Sequence, residues 1–381
     1  MLPYALDAIN EAALRSLVDN QVSERSDLEY KRDLPGRGDE EVKEFLADVT
    51  SLANAQGGDL LFGMNEADGV ASELVGVETG DQDAEILRLE NSLRSNVAPR
   101  LIGVQSHWIP LADGRGALLM RVPGSMNAPH QVVFKNSRRF WGRSSRGKYE
   151  MDVHELRHAF TQSEQLPHKF RQLHEQAIAM ARGTDMPFAV QAGPTAVITI
   201  APLGLFREER RIAIQREHAV VPFRNDGYSG TDMIEGVLLC SAPNRETGET
   251  SSFALTHRSG RVDCAFTIGR LCDGNNGQQH RLVWPEQFEE GLLQMVNATQ
   301  NRLRQFGIEG PWVVLATVID VQGFVVMRDR FFQSAPAFRN RALLGQQVFE
   351  RIEEERLRPF AENLWLLFGL QRPDRPLVAN Q

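Results

Sequence analysis

Glu24, Glu29, Lys31 and Glu66 are the residues of this sequence whose types and spacing could do chemistry. Three carboxylates gathered at one point repel each other, which raises one or more of their pKa values unless a cation neutralises them. Hard oxygen ligands of this kind suit Mg²⁺ or Mn²⁺. An ion held there could activate water and stabilise the leaving oxygen in phosphodiester cleavage. Lys31 could hold the scissile phosphate or balance the acids. The plain alternative is a solvated acidic face with Glu29 paired to Lys31. A second set is Lys135, Arg138, Arg139, Arg143, Arg146 and Lys148, with Phe140 and Trp141 among them. Such cations neutralise phosphates, and exposed aromatic rings stack on bases. Here the plain alternative is a hairpin whose aromatics are core and whose charges are solvated.

The elements that must position these residues can be read locally. Leu28 and Tyr30 alternate with Glu29 and Lys31, as in a half-buried strand. Glu29 and Lys31 then share one face, and Glu24 can join them only if the chain turns near Arg25-Ser26-Asp27. Val42, Phe45, Leu46, Val49, Leu52 and Ala53 recur at helical period. Gly38 and Asp39 suit the start of that helix, and Gly57-Gly58 fits its C-terminal end. Leu60 to Met64 is apolar at nearly every position and reads as a buried central strand, with Glu66 just beyond it.

These residues resemble the Schlafen family, the Alba-like domain of Schlafen-type and bacterial regulatory proteins. The resemblance is carried by Glu24, Glu29-Tyr30-Lys31, Ala53-Asn54-Ala55-Gln56-Gly57-Gly58 and Gly63-Met64-Asn65-Glu66. It continues in Phe140-Trp141-Gly142-Arg143-Ser144-Ser145 and covers roughly the first 160 residues. It implies a metal-dependent site at Glu24, Glu29 and Glu66, as in the ribonuclease members. Two departures stand out: Glu66 is found where those members have Asp, and Asn65 replaces the first acid of the pair. Other relatives are described only as DNA-binding or ATP-binding.

The 381 residues suffice for two domains. A net charge of −8 excludes a basic nucleic-acid coat protein, so any nucleic-acid surface must be a local patch. Cys240, Cys264 and Cys272 lack metal-site spacing and read as reduced thiols. The first residues show no signal-peptide pattern, and no apolar run approaches the ~20 residues that cross a bilayer, so a cytoplasmic chain is expected. His154 and His158 lie one helical turn apart, a spacing more often found on a surface face than in a metal site. The chain shows no P-loop and no hydrolase nucleophile motif.

The expected fold is mixed α/β (α+β). A Schlafen-like domain spans 1–163, a helical linker 164–184, and an α+β sensor or oligomerisation domain 185–381. Further expectations are a first helix over 5–19, a helix capped by Asp83, a helix from Val153 to about Phe160, a turn at 273–277, a last helix over 343–370 interrupted near Pro359, and ten frayed terminal residues. The leading functional expectation, drawn from the resemblance, is a metal-dependent endoribonuclease acting on RNA, perhaps tRNA, with a homodimer supplying a second lobe and a defence or toxin role. The alternatives are a non-catalytic DNA- or RNA-binding regulator and a nucleotide-responsive signalling protein.

Overall fold

The structure, a computed structural model, describes residues 1–144, 147–206, 211–223, 227–273, 279–327, 333–349 and 352–377. The chain has an α+β fold and divides into two compact units. Unit 1 comprises Met1–Pro167, Leu203–Glu209 and Arg304–Pro311, and unit 2 the remainder.

In unit 1, a 3₁₀ turn at Leu6–Ala8 precedes α1 (Glu11–Asp19), so the expected first helix is two pieces. Ile9 ends the first piece and Asn10 starts the second, its side chain accepting from the Ala13 N–H. β1 (Leu28–Lys31), α2 (Asp39–Asn54) and β2 (Gly57–Phe62) form a parallel strand–helix–strand unit. β3 (Met64–Ala67) and β4 (Val70–Leu74) make a hairpin. Glu66 therefore lies within a strand rather than just after one. α3 (Gln82–Asn96) is capped by Asp81, not Asp83. β5 (Val97–Ala98), β6 (Gln105–Pro110), β7 (Gly116–Pro123), β8 (Gln131–Val132), β9 (Arg139–Ser144) and β10 (Gly147–Glu150) follow. One sheet has the order β1-β2-β7-β6 and a second β10-β9-β8-β5.

Side-chain alternation gives the first sheet two apolar faces. Leu28, Tyr30, Leu61 and Leu119 pack with Leu14 and Leu17 of α1. Leu60, Phe62, Leu118 and Met120 pack with Phe45, Val49 and Leu52 of α2 and Leu89 of α3. Glu29 and Lys31, alternating with Leu28 and Tyr30, are thereby turned toward the α2 side. Gly57 and Gly58 do not cap α2, which ends at Ala55. They open β2, where a Cβ on Gly57 would lie 2.6 Å from the Val122 carbonyl oxygen. One on Gly58 would lie 2.7 Å from that of Asp27. The diglycine admits two backbone crossings, one of them with the turn that places Glu24.

α4 (Val153–Ala181) runs unbroken through Pro167, so 164–184 is mostly the continuation of a helix begun at Val153 and not a separate linker. Its start is capped by Asp152, whose carboxylate accepts from the N–H groups of His154 and Glu155.

Unit 2 adds β11 (Ala189–Val190), β12 (Thr195–Pro202), β13 (Tyr228–Asp232), β14 (Gly236–Ser241), β15 (Glu249–Thr250), β16 (Ser252–His257), β17 (Val262–Thr267), β18 (Gly269–Asp273) and β19 (Gln279–Val283). It ends with α5 (Pro285–Arg304), β20 (Trp312–Ile319), β21 (Val325–Val326), β22 (Arg341–Phe349) and α6 (Glu354–Leu367). An antiparallel seven-stranded sheet of order β13-β14-β16-β17-β12-β20-β22 is its backbone. Ala177, Ile178 and Ala181 of α4 pack on one face, against Val197, Leu238 and Ala265. Gly291 of α5 meets the ring of Phe266 on the other. The expected last helix is a strand followed by a shorter helix. Residues 341–349 hydrogen-bond along β20 and Pro359 is tolerated inside α6. The tail is not frayed at Arg372, whose guanidinium pairs with buried Glu289 at 2.8 Å. The expected turn at 273–277 lies mostly outside the described residues.

Inside the α4 face of this sheet a row of polar groups is fully sequestered. Asp263 accepts from the Thr199 hydroxyl at 2.7 Å, pairs with Arg261 at 2.9 Å and meets His257 at 2.8 Å. Having given its proton to Asp263, Thr199 Oγ1 accepts from His174 Nδ1 at 2.9 Å. His174 Nε2 is then the acceptor for the Thr317 hydroxyl at 2.8 Å. This assigns the Nδ1–H tautomer. Burial pulls the His174 pKa down to about 4, the nearby Asp263 charge opposing it.

Candidate nucleic-acid interface and carboxylate cluster

Glu24, Glu66 and the Glu29–Lys31 pair lie near one another where β1, the Arg25–Leu28 turn and the β3–β4 hairpin come together. The turn is closed by paired hydrogen bonds between Arg25 and Leu28. It brings Glu24 back over β1, so that its Oε1 accepts from the Tyr30 N–H at 2.8 Å. Burial pushes the Glu24 carboxyl above the usual range. The Tyr30 N–H opposes this, and the charges of Glu29 and Glu66 reinforce it. Glu66 accepts from the Gly69 N–H in the hairpin turn. The four residues singled out by spacing are thus neighbours through one turn and one hairpin.

Glu29 is held differently. Its Oε1 receives Lys31 Nζ at 2.8 Å and its Oε2 receives Arg143 Nη2. Burial works to raise its pKa, but the Lys31 hydrogen bond and the Arg143 charge outweigh it and hold the carboxyl below the ordinary value. Lys31 is kept charged despite burial by Asp48 and Glu29. Asp48, on the inward side of α2, lies 3.6 Å from Lys31 and 2.6 Å from Lys148 Nζ, and Lys148 also pairs with Glu44. The result is an alternating lattice of charges between β1, α2, β9 and β10.

Asp48 and Glu44 do not stand out in the sequence. A signal exists for Asp48: it falls three residues after Phe45 and four before Leu52, on the apolar stripe itself. An acid at such a place must find a cation. Asn54, read only as a motif letter, has a structural task. Its Nδ2 donates to the carbonyls of His130 and Trp141 at 3.0 and 2.9 Å, and its Oδ1 accepts from the His130 N–H.

The basic set divides into two. Arg143, whose side chain is only 2% exposed, and Lys148 belong to the inner lattice and are not a surface strip. Lys135, Arg138 and Arg139 are exposed on the β8–β9 hairpin. Lys135 pairs with Asp39, and Arg139 lies 3.4 Å from Glu150. Arg146 is outside the described residues. Trp141 packs against the core of α2 and Phe140 meets Phe160 edge-on at 6.2 Å, so both aromatics serve packing. Trp141 and Arg139 also line a cleft of about 380 Å³ with Lys43 and Glu44 of α2. His154 and His158 lie on the exposed face of α4.

The divalent ion implied by the resemblance makes a definite demand on these donors. Both oxygens of Glu29 are bonded to cationic side chains, and Glu24 and Glu66 each cap a backbone N–H. Among the described residues no group of three or more His, Cys, Asp or Glu side chains is arranged to hold a metal ion. In this arrangement the residues do not fit one.

Residues 24–152 match the family model described as Schlafen, AlbA_2. That stretch is similar to the Schlafen, AlbA_2 domain. Its limits enclose the strand–helix–strand unit, the β3–β4 hairpin and the β8–β10 strands. Among solved structures, the DIP2311 protein from Corynebacterium diphtheriae aligns at 17% identity over 37% of this chain and 29% of that one, with a TM-score of 0.27. The N-terminal domain of a Nitrosomonas europaea protein, described as related to the ATP-dependent DNA helicase RecG, aligns at 22% identity. That alignment covers 38% of this chain and 89% of the other, with a TM-score of 0.28. At these scores neither likeness carries an argument. The chain thus spans under a third of the length of the first of these structures. No curated protein matches the chain. Among the described residues no helix of the chain is long and apolar enough to cross a membrane.

Proposed function

We propose that this protein binds nucleic acid through its Schlafen, AlbA_2-like stretch, with the β8–β9 hairpin as the binding surface. The observation that carries this reading is the exposed trio Lys135, Arg138 and Arg139 on that hairpin, beside the cleft walled by Trp141. Exposed ion pairs such as Lys135–Asp39 hold weakly in water, so these cations can be redirected to phosphates. The overall negative charge confines the attraction to this patch. The test is fluorescence anisotropy with labelled tRNA and duplex DNA across a range of salt. Replacing Arg138 and Arg139 by Ala should weaken binding at all sequences. The salt slope should drop by about 1 for each phosphate no longer neutralised. Binding that is absent, or insensitive to salt and to both substitutions, would reject the reading.

A second reading is metal-dependent cleavage of RNA at Glu24, Glu29 and Glu66. It is favoured by one observation, the closeness of Glu24 and Glu66, which both bond to Gly69, with Glu24 also bonded to β1 next to Glu29. It requires Glu29 to leave Lys31 and Arg143. Cutting of the same tRNA with Mn²⁺, abolished by chelator and in both Glu24→Gln and Glu66→Gln, supports it. Binding without cutting under all these conditions excludes it.

A further inference from the structure

We propose that Arg143 and Lys31 form a phosphate-binding site whose place is taken in this structure by the carboxylate of Glu29. The inference rests on the nucleic-acid reading and identifies the group of the strand that this end of the sheet receives.

Three observations lead to it. The Arg143 side chain is 2% exposed, and its Nη2 donates to Glu29 and, at 3.4 Å, to the Arg25 carbonyl. Its Nε and Nη1 have no hydrogen-bond partner among the described residues. A buried guanidinium is thus left with donors in excess of the acceptors the described residues supply, although buried donors are nearly always matched. Lys31 Nζ, 2.8 Å from the other oxygen of Glu29, forms the opposite wall and is the more open of the two cations at 30% exposed.

The chemistry of the missing acceptor follows from the shape of the donors. Each unmatched nitrogen of Arg143 shares an edge of the guanidinium plane with Nη2. An oxyanion lying where the Glu29 carboxylate now lies can take two parallel N–H···O bonds from one edge and leave an oxygen for Lys31. A carboxylate has only two oxygens and gives one to each cation; a phosphate has enough for both and for the second guanidinium nitrogen. With Glu29 rotated away, the only acids that Lys31, Arg143 and Lys148 still pair with among the described residues are Asp48 and Glu44. The backbone of β1 stays fixed by its pairing with β2, so only the Glu29 side chain has to move. Glu29 is in this sense an internal competitor for the phosphate.

The experiment titrates inorganic phosphate, a short 5′-phosphorylated RNA and the same strand without the phosphate into the full chain, by calorimetry. Glu29→Gln keeps the shape and removes the competing charge. It should tighten inorganic phosphate binding by roughly tenfold or more, because a charge-assisted bidentate interaction replaces the internal one. Arg143→Lys, which cannot offer two parallel donors, should cancel that gain. Preference for the 5′-phosphorylated strand assigns the site to a terminal phosphate, and equal affinity for both strands, with the Glu29→Gln gain retained, to an internal one. Unchanged or weaker phosphate binding in Glu29→Gln overturns the proposal. That comparison decides even if Arg143→Lys fails to fold, as circular dichroism would show. Salt-sensitive RNA binding with no Glu29→Gln effect removes the phosphate site and leaves the nucleic-acid reading standing. Phosphate binding that responds to Glu29→Gln, with no RNA binding at all, does the reverse.

Discussion

Glu24 and Glu29 are close neighbours on the chain and shift in opposite directions: burial, helped by two like charges, raises the first against the Tyr30 amide, while two cations overcome burial at the second. The folded state raises the Glu24 pKa, so its ionisation weighs against folding. That cost is absent while both states are protonated and is complete once pH exceeds the raised value. Glu24→Gln keeps the acceptor for the Tyr30 N–H and removes the charge. It should raise the melting temperature at about pH 7 and leave it unchanged near pH 3.5, below the ordinary carboxylate value. A lower melting temperature at neutral pH would show that the penalty assigned here is not felt. Glu29 has the other sign: its lowered pKa contributes stability above the ordinary carboxylate value, and this is lost as pH falls through the folded value.

At the scale of elements, one polar side chain pins the end of α2 to the backbone around β8 and β9. Asn54, buried at the last turn, makes three hydrogen bonds to the backbone of His130 and Trp141. Asn54→Ala should cost roughly 2–4 kcal/mol, since buried polar groups lose their partner and gain no water. A urea denaturation series would read it as a lower midpoint at constant slope. Much of this region is legible in sequence. The alternation at Leu28–Lys31 sets the face of Glu29, and the spacing of Phe45, Val49 and Leu52 sets α2. The turn at Arg25–Asp27 follows from the parity of Glu24. What cannot be read is pairing across the fold. Arg143 looks like one of a solvated strip because nothing in its neighbourhood says that β9 is laid against α2 and β1. The 341–349 stretch has apolar residues at Leu344, Val348 and Phe349 that suit a helix as well as a strand, and only hydrogen bonding to β20 decides. Pro167 promises a break, yet the helix passes through it.

For the molecule as a whole, both units bury charges in pairs, Arg121 with Asp59 at 2.9 Å in unit 1 and Arg372 with Glu289 at 2.8 Å in unit 2. Unit 2 also holds a neutral imidazole. His174, with its pKa near 4, stays unprotonated in the folded state down to that pH, whereas the unfolded chain binds the proton from about pH 6.5. The unfolded state therefore gains protons first. Stability should fall as pH drops between these values, by an amount on the order of 3 kcal/mol if no other group compensates. Equilibrium unfolding of the wild type and of His174→Gln at a series of pH values checks this, the variant giving the flatter profile. Equal slopes would mean that the imidazole is not the group that titrates.

The crossings at Gly57 and Gly58 carry one more implication. In each, an added methyl would strike the main chain, at Val122 or Asp27, besides the Leu52 side chain at Gly58, and a main chain has no rotamer to yield. Enlargement there cannot be absorbed by repacking. It must prise β2 from its neighbour or lift the bend that carries Glu24. Any descendant of this chain that keeps its acidic end intact is left with a one-letter alphabet at two adjacent sites.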